Sequence, residues 1–480
     1  HVQRIATEAL LRLSDAETRA ELAKDVLASL PTPLVTAHAA GPEAFAQALA
    51  LHLASDPNAF AVMDLVYLVD DEVVRPGFLA ELARAKLDTP TFYWLRHIYK
   101  AAEYRCDPRV FGLLAHRFET TRANPVVWGR KPQSVYSGAT REYLRRRVWR
   151  TLRRKGETGD PDFVPLAVGT LLAYTDADAD EPRQGYDAFA RYRVLGHLLY
   201  TNSTRYELRR NTKAFRLRRG QRRGQPPPGV REEAFPTLWE ARPEGLMQLL
   251  AESVCAPVHE FAALALEACP AFLSELDADD LVLLLSRPYE VTAKLAFRVA
   301  KERHGRGTLT PNELAALASC AHEPARKQAF AWITEGRSGL SDDTAFLAAL
   351  VCARHADARA FARTWVRGLS LRGASGPALV GRILARLMAL GDTPEDAALA
   401  LDVAQTVTVA LGHHLAEVGP AALRDLLAHP LAGVGIARLQ QHGEQIAGRF
   451  SGMAALGNQA IDNRIQRLPP AEKMPIGRDG

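Results

Sequence analysis

Residues 258–266 read VHEFAALAL, and the same pattern returns as VTAKLAFRV at 291–299, ARKQAFAWI at 325–333 and ARAFARTWV at 358–366. The four stretches begin 33, 34 and 33 residues apart. Each follows an apolar run and a short polar or proline-containing turn, such as the turn around Pro288. A helix, a tight turn and a second helix are therefore predicted to recur at a nearly fixed spacing.

Two further features extend this periodic pattern. Trp332 and Trp365 occupy the same place in the third and fourth stretches, which favours packing between neighbouring helix pairs over a ligand site. Looser copies begin at Asp396 and Val434, each 38 residues after its predecessor. One helix pair has an apolar face too wide to bury alone, so the pairs are expected to stack. We predict an all-α chain containing an α-solenoid, a right-handed superhelix of stacked antiparallel helix pairs with a period of 33 to 38 residues; six unrelated amphipathic helices are the alternative.

The copies, over about residues 243–448, resemble the HEAT and armadillo class of helical repeats. This resemblance implies an architecture but no single activity, because the class includes scaffolds, transport factors and DNA-binding proteins. Through the repeats and the stretch YLRRRVWR at 143–150, the chain also resembles bacterial HEAT-repeat proteins that accompany WGR domains in DNA-damage or conflict settings. The tripeptide WGR at 128–130 is not itself a sign of such a domain, because its flanking residues predict a loop between helices.

The rest of the chain is predicted to be helical as well. Turn signals separate short helices in the first 120 residues, which we interpret as degenerate repeats of the same kind. The run QPPPG at 225–229 predicts an extended linker. The sequence therefore divides into an N-terminal helical region (1–120), a basic helical insertion with the proline-rich linker (121–240), the repeat array (241–450) and a C-terminal tail (451–480).

The composition is that of an ordinary globular protein, with 47% hydrophobic and 24% charged residues. Five cysteines without a CxxC pair indicate neither a zinc ribbon nor a disulfide framework, and no apolar run is long enough to span a bilayer. The first residues show no signal-peptide pattern, so a cytoplasmic location without a membrane partner is expected. The chain begins with His1 instead of methionine, as a piece of a longer protein would.

Positive charge is concentrated between Arg141 and Arg223, where 20 Lys or Arg residues stand against 10 Asp or Glu, in a chain whose total net charge is +5. Arginine suits bidentate phosphate contacts, and the neighbouring Tyr200, Tyr206 and Phe215 suit base stacking. A solvated or internally paired basic face is the alternative. The candidate residues for binding nucleic acid or another polyanion are Arg145, Arg146, Arg147, Arg150, Arg205, Arg209, Arg210, Lys213, Arg216, Arg218, Arg219, Arg222 and Arg223.

An acidic stretch, DADADEPRQGYD at 176–187, offers a weaker candidate site. Asp176, Asp178, Asp180 and Asp187 stand at positions 1, 3, 5 and 12 of a loop like that of a calcium-binding EF-hand. The sharp turn at position 6 of such a loop requires glycine, and here the residue is glutamate. A solvated acidic turn between helices explains the same residues without a metal.

No sequence pattern indicates catalysis. The P-loop, GxGxxG and GxSxG motifs are absent, and His259-Glu260 lacks the second histidine of a zincin motif. We therefore expect no cofactor, and we expect a binding scaffold whose partner is a protein or nucleic acid. A purely protein–protein scaffold within a longer polypeptide is one alternative. The other is an enzyme, because HEAT-like DNA glycosylases for alkylated bases share the architecture that the chain resembles, although their site residues cannot be mapped onto this sequence.

Overall fold

The structure is a computed structural model, and it describes residues 15–56, 58–88, 91–123, 135–181, 185–222, 224, 226–227, 229–369, 371, 374–391 and 393–415. Helices dominate this part of the chain, which confirms the all-α prediction. The chain divides into two compact units, the first ending at Ser274 and the second beginning at Glu275. This division lies after the first helix pair of the repeat pattern, whereas the sequence placed a boundary at the proline run.

The first unit begins with helices that follow one another after short turns. Its helices up to the basic segment are α1 (Ala16–Ala28), α2 (Thr32–Ala40), α3 (Pro42–Ser55), α4 (Val62–Val69), α5 (Val74–Arg84), α6 (Thr91–Arg105) and α7 (Pro108–Thr120). The α-helices and strands that follow in this unit are α8 (Gly138–Glu157), α9 (Phe163–Leu171), α10 (Arg193–Tyr200), β1 (Tyr206–Leu208), β2 (Phe215–Leu217), α11 (Pro236–Glu240), α12 (Pro243–Glu252) and α13 (Ala256–Leu266), and α14 (Pro270–Glu275) ends at the division between the units. Helices α3, α5, α7, α9 and α12 contact one another in that order, so alternate helices form a row.

Helices α7 and α9 approach closely because each has a glycine at the crossing. A Cβ atom on Gly112 would overlap the carbonyl of Gly169, and a Cβ atom on Gly169 would overlap the carbonyl of Pro108. Only glycine allows the two backbones to come this near. Around the crossing, Phe111, Leu114 and other side chains of both helices are fully buried. This contact anchors the middle of the first unit, on which the basic helix α8 packs.

A short hairpin follows α10, and the sequence analysis did not predict it. Strands β1 and β2 pair antiparallel, with Tyr206 opposite Leu217 and Leu208 opposite Phe215. Phe215 packs so closely on α10 that a Cβ atom on Gly196 would overlap its ring. The hairpin therefore packs against the body of the first unit.

The second unit consists of further helix pairs. They are α15 (Ala278–Ser286) with α16 (Glu290–Gly305), α17 (Pro311–Ala318) with α18 (Glu323–Glu335), α20 (Thr344–Val351) with α21 (Ala356–Arg367), and α22 (Ser375–Met388) with α23 (Pro394–Leu415); the short α19 (Arg337–Leu340) lies between the second and third pairs. First helices contact first helices, since α15 contacts α17, α17 contacts α20 and α20 contacts α22. Second helices do likewise, α16 with α18 and α21 with α23. The looser copy that begins at Val434 lies outside the described residues.

The arginine that follows alanine in two repeat stretches has the same role in both. Arg326 Nη1 donates to the carbonyl of Cys320, and Arg359 Nη1 donates to the carbonyl of Ala353, six residues earlier in each case (3.0 and 2.9 Å). Each guanidinium also pairs with an aspartate one helix pair further on: Arg326 pairs with Asp357 (2.9 Å) and Arg359 with Asp402 (2.5 Å). Both arginines are buried. The repeated sequence thus encodes a repeated contact that caps one turn and joins neighbouring pairs.

The repeated tryptophans lie between aromatic neighbours. Trp365 is buried and meets Phe346 edge to face at 5.8 Å between ring centroids. Trp332 stacks on His304 at 3.9 Å between ring centroids. Both contacts are packing contacts within the second unit. None of the helices that the structure describes is both long and apolar enough to cross a membrane.

Candidate nucleic-acid interface and an adjoining cavity

Helix α8 separates its arginines between a buried and an exposed face. Leu144, Val148 and Leu152 are buried against the unit, at the spacing of one helix face. The side chain of Ser137 accepts a hydrogen bond from the amide of Thr140 at 3.2 Å and fixes the start of the helix. The opposite face is solvent-exposed and basic, and it carries Arg146, Arg150, Arg153 and Arg154.

Tyr143 lies on the same exposed face, where 41% of its surface is accessible. Arg147 donates a hydrogen bond to the Tyr143 hydroxyl at 3.2 Å. This hydrogen bond, together with the charges of Arg147 and Arg150, lowers the pKa of Tyr143. An accessible aromatic ring therefore stands among guanidinium groups, which is the arrangement that base stacking beside phosphate contacts requires.

Three of the arginines predicted to bind a polyanion are instead paired with carboxylates of the first unit. Arg145 is buried and donates from Nε to Glu119 at 2.6 Å. Arg205 is buried and forms a bidentate pair with Glu232, with distances of 2.9 and 2.7 Å. The guanidinium of Arg147 reaches Glu103 of α6 at 2.5 Å. These three residues stabilise the fold, and their donors are already engaged.

Glu119 is the centre of the first of these contacts. Its carboxylate is fully buried and accepts hydrogen bonds from Arg145 Nε (2.6 Å), the Tyr174 hydroxyl (3.0 Å), the Arg193 amide (3.0 Å) and the Val194 amide (2.8 Å). Arg193 and Val194 begin α10, so the negative charge also lies at a helix N-terminus, where it is favoured. One side chain of α7 therefore sets the positions of α8 and α10.

The hairpin lies beside the N-terminal half of α8. Lys213, in the turn between the strands, donates to Glu142 of α8 at 3.0 Å. Burial of Glu142 opposes its ionisation, but the hydrogen bond from Lys213 and the charge of Arg145 outweigh that effect and lower its pKa. The basic residues of the hairpin and the exposed face of α8 are consequently joined in one surface, which we call the basic surface.

On the hairpin itself, most of the predicted residues are exposed. Arg209 pairs with Glu207 at 2.9 Å, and Arg218 lies 3.9 Å from the same carboxylate. Such exposed pairs stabilise little and leave the charges accessible. Arg216 is half-buried beneath the Tyr186 ring, 5.7 Å from its centroid. The predicted residues that the structure leaves exposed are Arg146, Arg150, Arg209, Arg210, Lys213, Arg218, Arg219 and Arg222, while Arg223 lies outside the described residues.

The four aspartates of the acidic stretch point to separate partners. Asp176 accepts from the amide of Ala256 at 2.7 Å, and Asp178 contacts the ring of His116 at 2.9 Å. Asp180 pairs with an arginine of the next turn, and Asp187 accepts from the amide two residues later. Within the described residues, no group of three or more His, Cys, Asp or Glu side chains is placed to hold a metal ion. The EF-hand-like spacing does not bring these carboxylates together.

A cavity of about 270 Å³ opens behind the hairpin. The end of α10, strand β1, the loop after the proline run and the first turns of α13 form its wall. Tyr200 and Tyr206 stack on each other in this wall, with ring centroids 4.3 Å apart. Asp187 and Glu260 also line it, from segments 73 residues apart in the sequence.

The sequence analysis did not identify Glu119, Glu260 or the cavity. Glu260 appeared there only as the neighbour of His259, and in the structure His259 is buried and contacts the carbonyl of Ser253 at 3.0 Å. Tyr143 could have been identified from the sequence, because it precedes Arg146 and Arg150 by three and seven residues on a predicted helix, a spacing that puts all three on one face. Comparisons with protein-family models, with curated proteins and with solved structures gave no match to this chain, so the function has to be inferred from the geometry.

Proposed function

We propose that the protein binds nucleic acid through the basic surface formed by α8 and the hairpin. The observation that supports this most directly is the exposure of its arginines. Buried acids neutralise Arg145 and Arg205, whereas Arg146, Arg150 and Arg210 have charged groups open to solvent. An internally paired face would not leave this excess of positive charge accessible.

The chemistry of the surface fits the phosphate backbone better than it fits particular bases. Guanidinium groups bind phosphate oxygens with two parallel hydrogen bonds, and the resulting affinity decreases steeply with salt. Tyr143 adds one exposed ring to which an unpaired base could stack. Binding with little sequence preference is therefore expected, and single strands should bind at least as well as duplex.

We further propose that the helix pairs of the second unit form a HEAT-like solenoid. Within the second unit, first helices contact first helices and second helices contact second helices, as stacked pairs require. The equivalent contacts of Arg326 and Arg359 repeat the joint between pairs. The row of alternate helices in the first unit agrees with degenerate copies of the same arrangement.

The test measures binding of labelled single-stranded and duplex DNA at about 50 and about 200 mM salt. The variant carries alanine at four exposed positions of the hairpin: Arg209, Arg210, Arg218 and Arg219. A matched control loses the same charge at four exposed positions of the second unit: Lys294, Lys301, Arg306 and Arg367.

Wild type and control should bind at low salt, and affinity should fall as salt rises. Each lost phosphate contact should reduce the slope of log affinity against log salt by about 0.9 for duplex and about 0.7 for single strands. Equal losses in both variants would mean that net charge alone attracts the DNA and would refute an assigned surface. Absence of binding at low salt would refute the nucleic-acid function and leave a protein as the expected partner.

A further inference from the structure

Helix α6 has an exposed face on which aromatic and basic side chains lie together. Its exposed residues are Tyr93, Arg96, Lys100 and Tyr104. The spacing of three, four and four residues places all of them on one side of the helix, and we call this side the aromatic face. The single acid of α6, Glu103, is paired with Arg147 of α8. The aromatic face therefore adds two positive charges that no carboxylate of its own helix neutralises.

Exposed aromatic rings are concentrated on α6 and α8. In the part of the chain that the structure describes, the exposed Phe, Tyr or Trp residues are Tyr93 (59% accessible), Tyr104 (43%) and Tyr143. A large ring left in water forgoes the free energy that its burial would contribute. Three such rings on two adjoining helices are a cluster instead of a scatter, and clustered exposed apolar groups indicate a surface that contacts a ligand.

The aromatic face adjoins the basic surface, because one joint fixes α6 against α8. Arg147 donates to Glu103 of α6 at 2.5 Å and to the Tyr143 hydroxyl of its own helix at 3.2 Å. The hydroxyl of Thr151, one turn further along α8, donates to the same carboxylate. Glu103 directly precedes Tyr104 on α6, and Arg147 follows Tyr143 by one turn on α8. The joint therefore brings the exposed rings of the two helices side by side.

Tyr93 is held in place although it is exposed. Its ring meets Trp94 edge to face at 5.2 Å and lies 4.7 Å from the ring of His97, measured between centroids. A side chain that is fixed in advance loses less conformational entropy when a ligand binds to it. Tyr93 and Tyr104, eleven residues apart, are separated by about 16 Å along the helix axis. About five nucleotides cover that distance at the spacing of about 3.4 Å in a stacked strand.

We propose that the aromatic face extends the basic surface into a track for single-stranded nucleic acid. In this track Tyr93, Tyr104 and Tyr143 stack on unpaired bases, and Arg96 and Lys100 bind the phosphates between them. The inference rests on the proposed nucleic-acid function and narrows it to single strands. The bases of a duplex are already stacked on one another, so the rings gain no contact with them unless a base is extruded at a cost.

The test compares three labelled ligands on the full chain at about 50 and about 200 mM salt. They are an oligothymidine of about 15 nucleotides, a duplex of the same length, and an abasic strand of the same length. The abasic strand has the phosphates of the oligothymidine but no bases. We expect the oligothymidine to bind at least about tenfold more tightly than the abasic strand, because each stacked base contributes to affinity, and more tightly than the duplex.

Two variants assign the stacking to α6. The leucine variant, Tyr93→Leu with Tyr104→Leu, removes both rings at exposed positions and keeps apolar side chains there. Its affinity for oligothymidine should fall at least about fivefold for each ring, or about 25-fold in all. Its affinity for the abasic strand should not change. The phenylalanine variant, Tyr93→Phe with Tyr104→Phe, keeps the rings and should bind as wild type does. Thermal melting should show that both variants fold.

The salt dependence separates stacking from phosphate contacts. The leucine variant should lose affinity equally at both salt concentrations, because it loses no charge. Replacing Arg96 and Lys100 by alanine should instead reduce the slope of log affinity against log salt by about 0.7 for each lost phosphate contact with a single strand.

Four outcomes would overturn the proposal. The abasic strand or the duplex could bind as tightly as the oligothymidine, the leucine variant could bind like wild type, or the phenylalanine variant could lose as much as the leucine variant. An unchanged leucine variant would favour a protein partner at the aromatic face, since tyrosine and arginine are also common in protein interfaces. In each case, DNA binding that depends on the hairpin arginines would still support the nucleic-acid function. Absence of binding to every ligand at low salt would refute both.

Discussion

The substitution Glu119→Gln should destabilise the first unit strongly, although it changes only a single atom for another of similar size. The carboxylate accepts four hydrogen bonds, two at each oxygen. A glutamine presents two donors in place of one of these oxygens, so two donors of the protein would face an amide NH₂ group. Arg145 would also lose the charge that neutralises it in a buried position.

The magnitude follows from these two effects. Removing one partner of a buried ion pair costs about 3–5 kcal/mol. The lower end applies, because Arg145 keeps a second contact with the partly exposed Glu142 at 3.0 Å. Two donors left without an acceptor add at least about 1 kcal/mol. We expect the free energy of unfolding to fall by about 4 kcal/mol in total.

Urea denaturation of the full chain, followed by circular dichroism, measures this loss. Tyr174→Phe removes one of the four hydrogen bonds and should cost about 1.5 kcal/mol. Glu207→Gln is the control, because this carboxylate pairs with exposed arginines, and it should cost less than about 1 kcal/mol. If Glu119→Gln and Glu207→Gln unfolded at the same urea concentration, Glu119 would not be the residue that joins α7, α8 and α10.

Two further changes test the packing around the basic surface. Burial, assisted by neighbouring arginines, lowers the pKa of His197 to about 4, so the folded protein keeps this ring neutral where the unfolded chain, with a pKa near 6.5, takes up a proton. The free energy of unfolding should therefore decline as the pH falls from 6.5 towards 4, by about 2 kcal/mol at pH 5. The substitution His197→Phe preserves the stacking on Trp149 and should abolish this part of the decline. Urea titrations at pH 7.5 and 5 measure the difference. Gly169→Ala should cost about 3 kcal/mol, because its Cβ would overlap the carbonyl of Pro108. Gly138→Ala, whose Cβ meets no atom within 4 Å, should be neutral or slightly stabilising when both glycine variants are compared with wild type by urea titration at pH 7.5.

Sequence periodicity was sufficient to predict the helix pairs because the burial pattern of a stacked helix is local. The stretches that begin at Val258, Ala325 and Ala358 each start a second helix near its N-terminus, as predicted. Only part of the role of Arg326 and Arg359 could be predicted from the sequence. Their equal positions could be read from the chain, but their bonds to the preceding turn required the geometry of that turn.

The candidate site was less predictable, because a sequence shows which residues are charged but not which residues they pair with in the fold. Arg145 and Arg146 are adjacent and identical in type, yet one is buried and the other exposed. Which of the two is buried depends on which face of α8 packs against the unit. The spacing of Leu144, Val148 and Leu152 predicts that face once the start of the helix is known. The bond from Arg145 to Glu119 spans 26 residues and has no local signal.

For the same reason, the number of arginines in a segment overestimates the positive charge that is available to bind a ligand. Arg205 belongs to the most basic part of the chain, but its charge is neutralised by Glu232, which lies beyond the proline run. The pair closes the hairpin onto the loop and completes one wall of the cavity. Part of the basic segment is therefore structural, and that part holds the exposed arginines in place. A polyanion would bind to the remainder, and its affinity would be set by the number of arginines left exposed after folding, which is smaller than the number in the sequence.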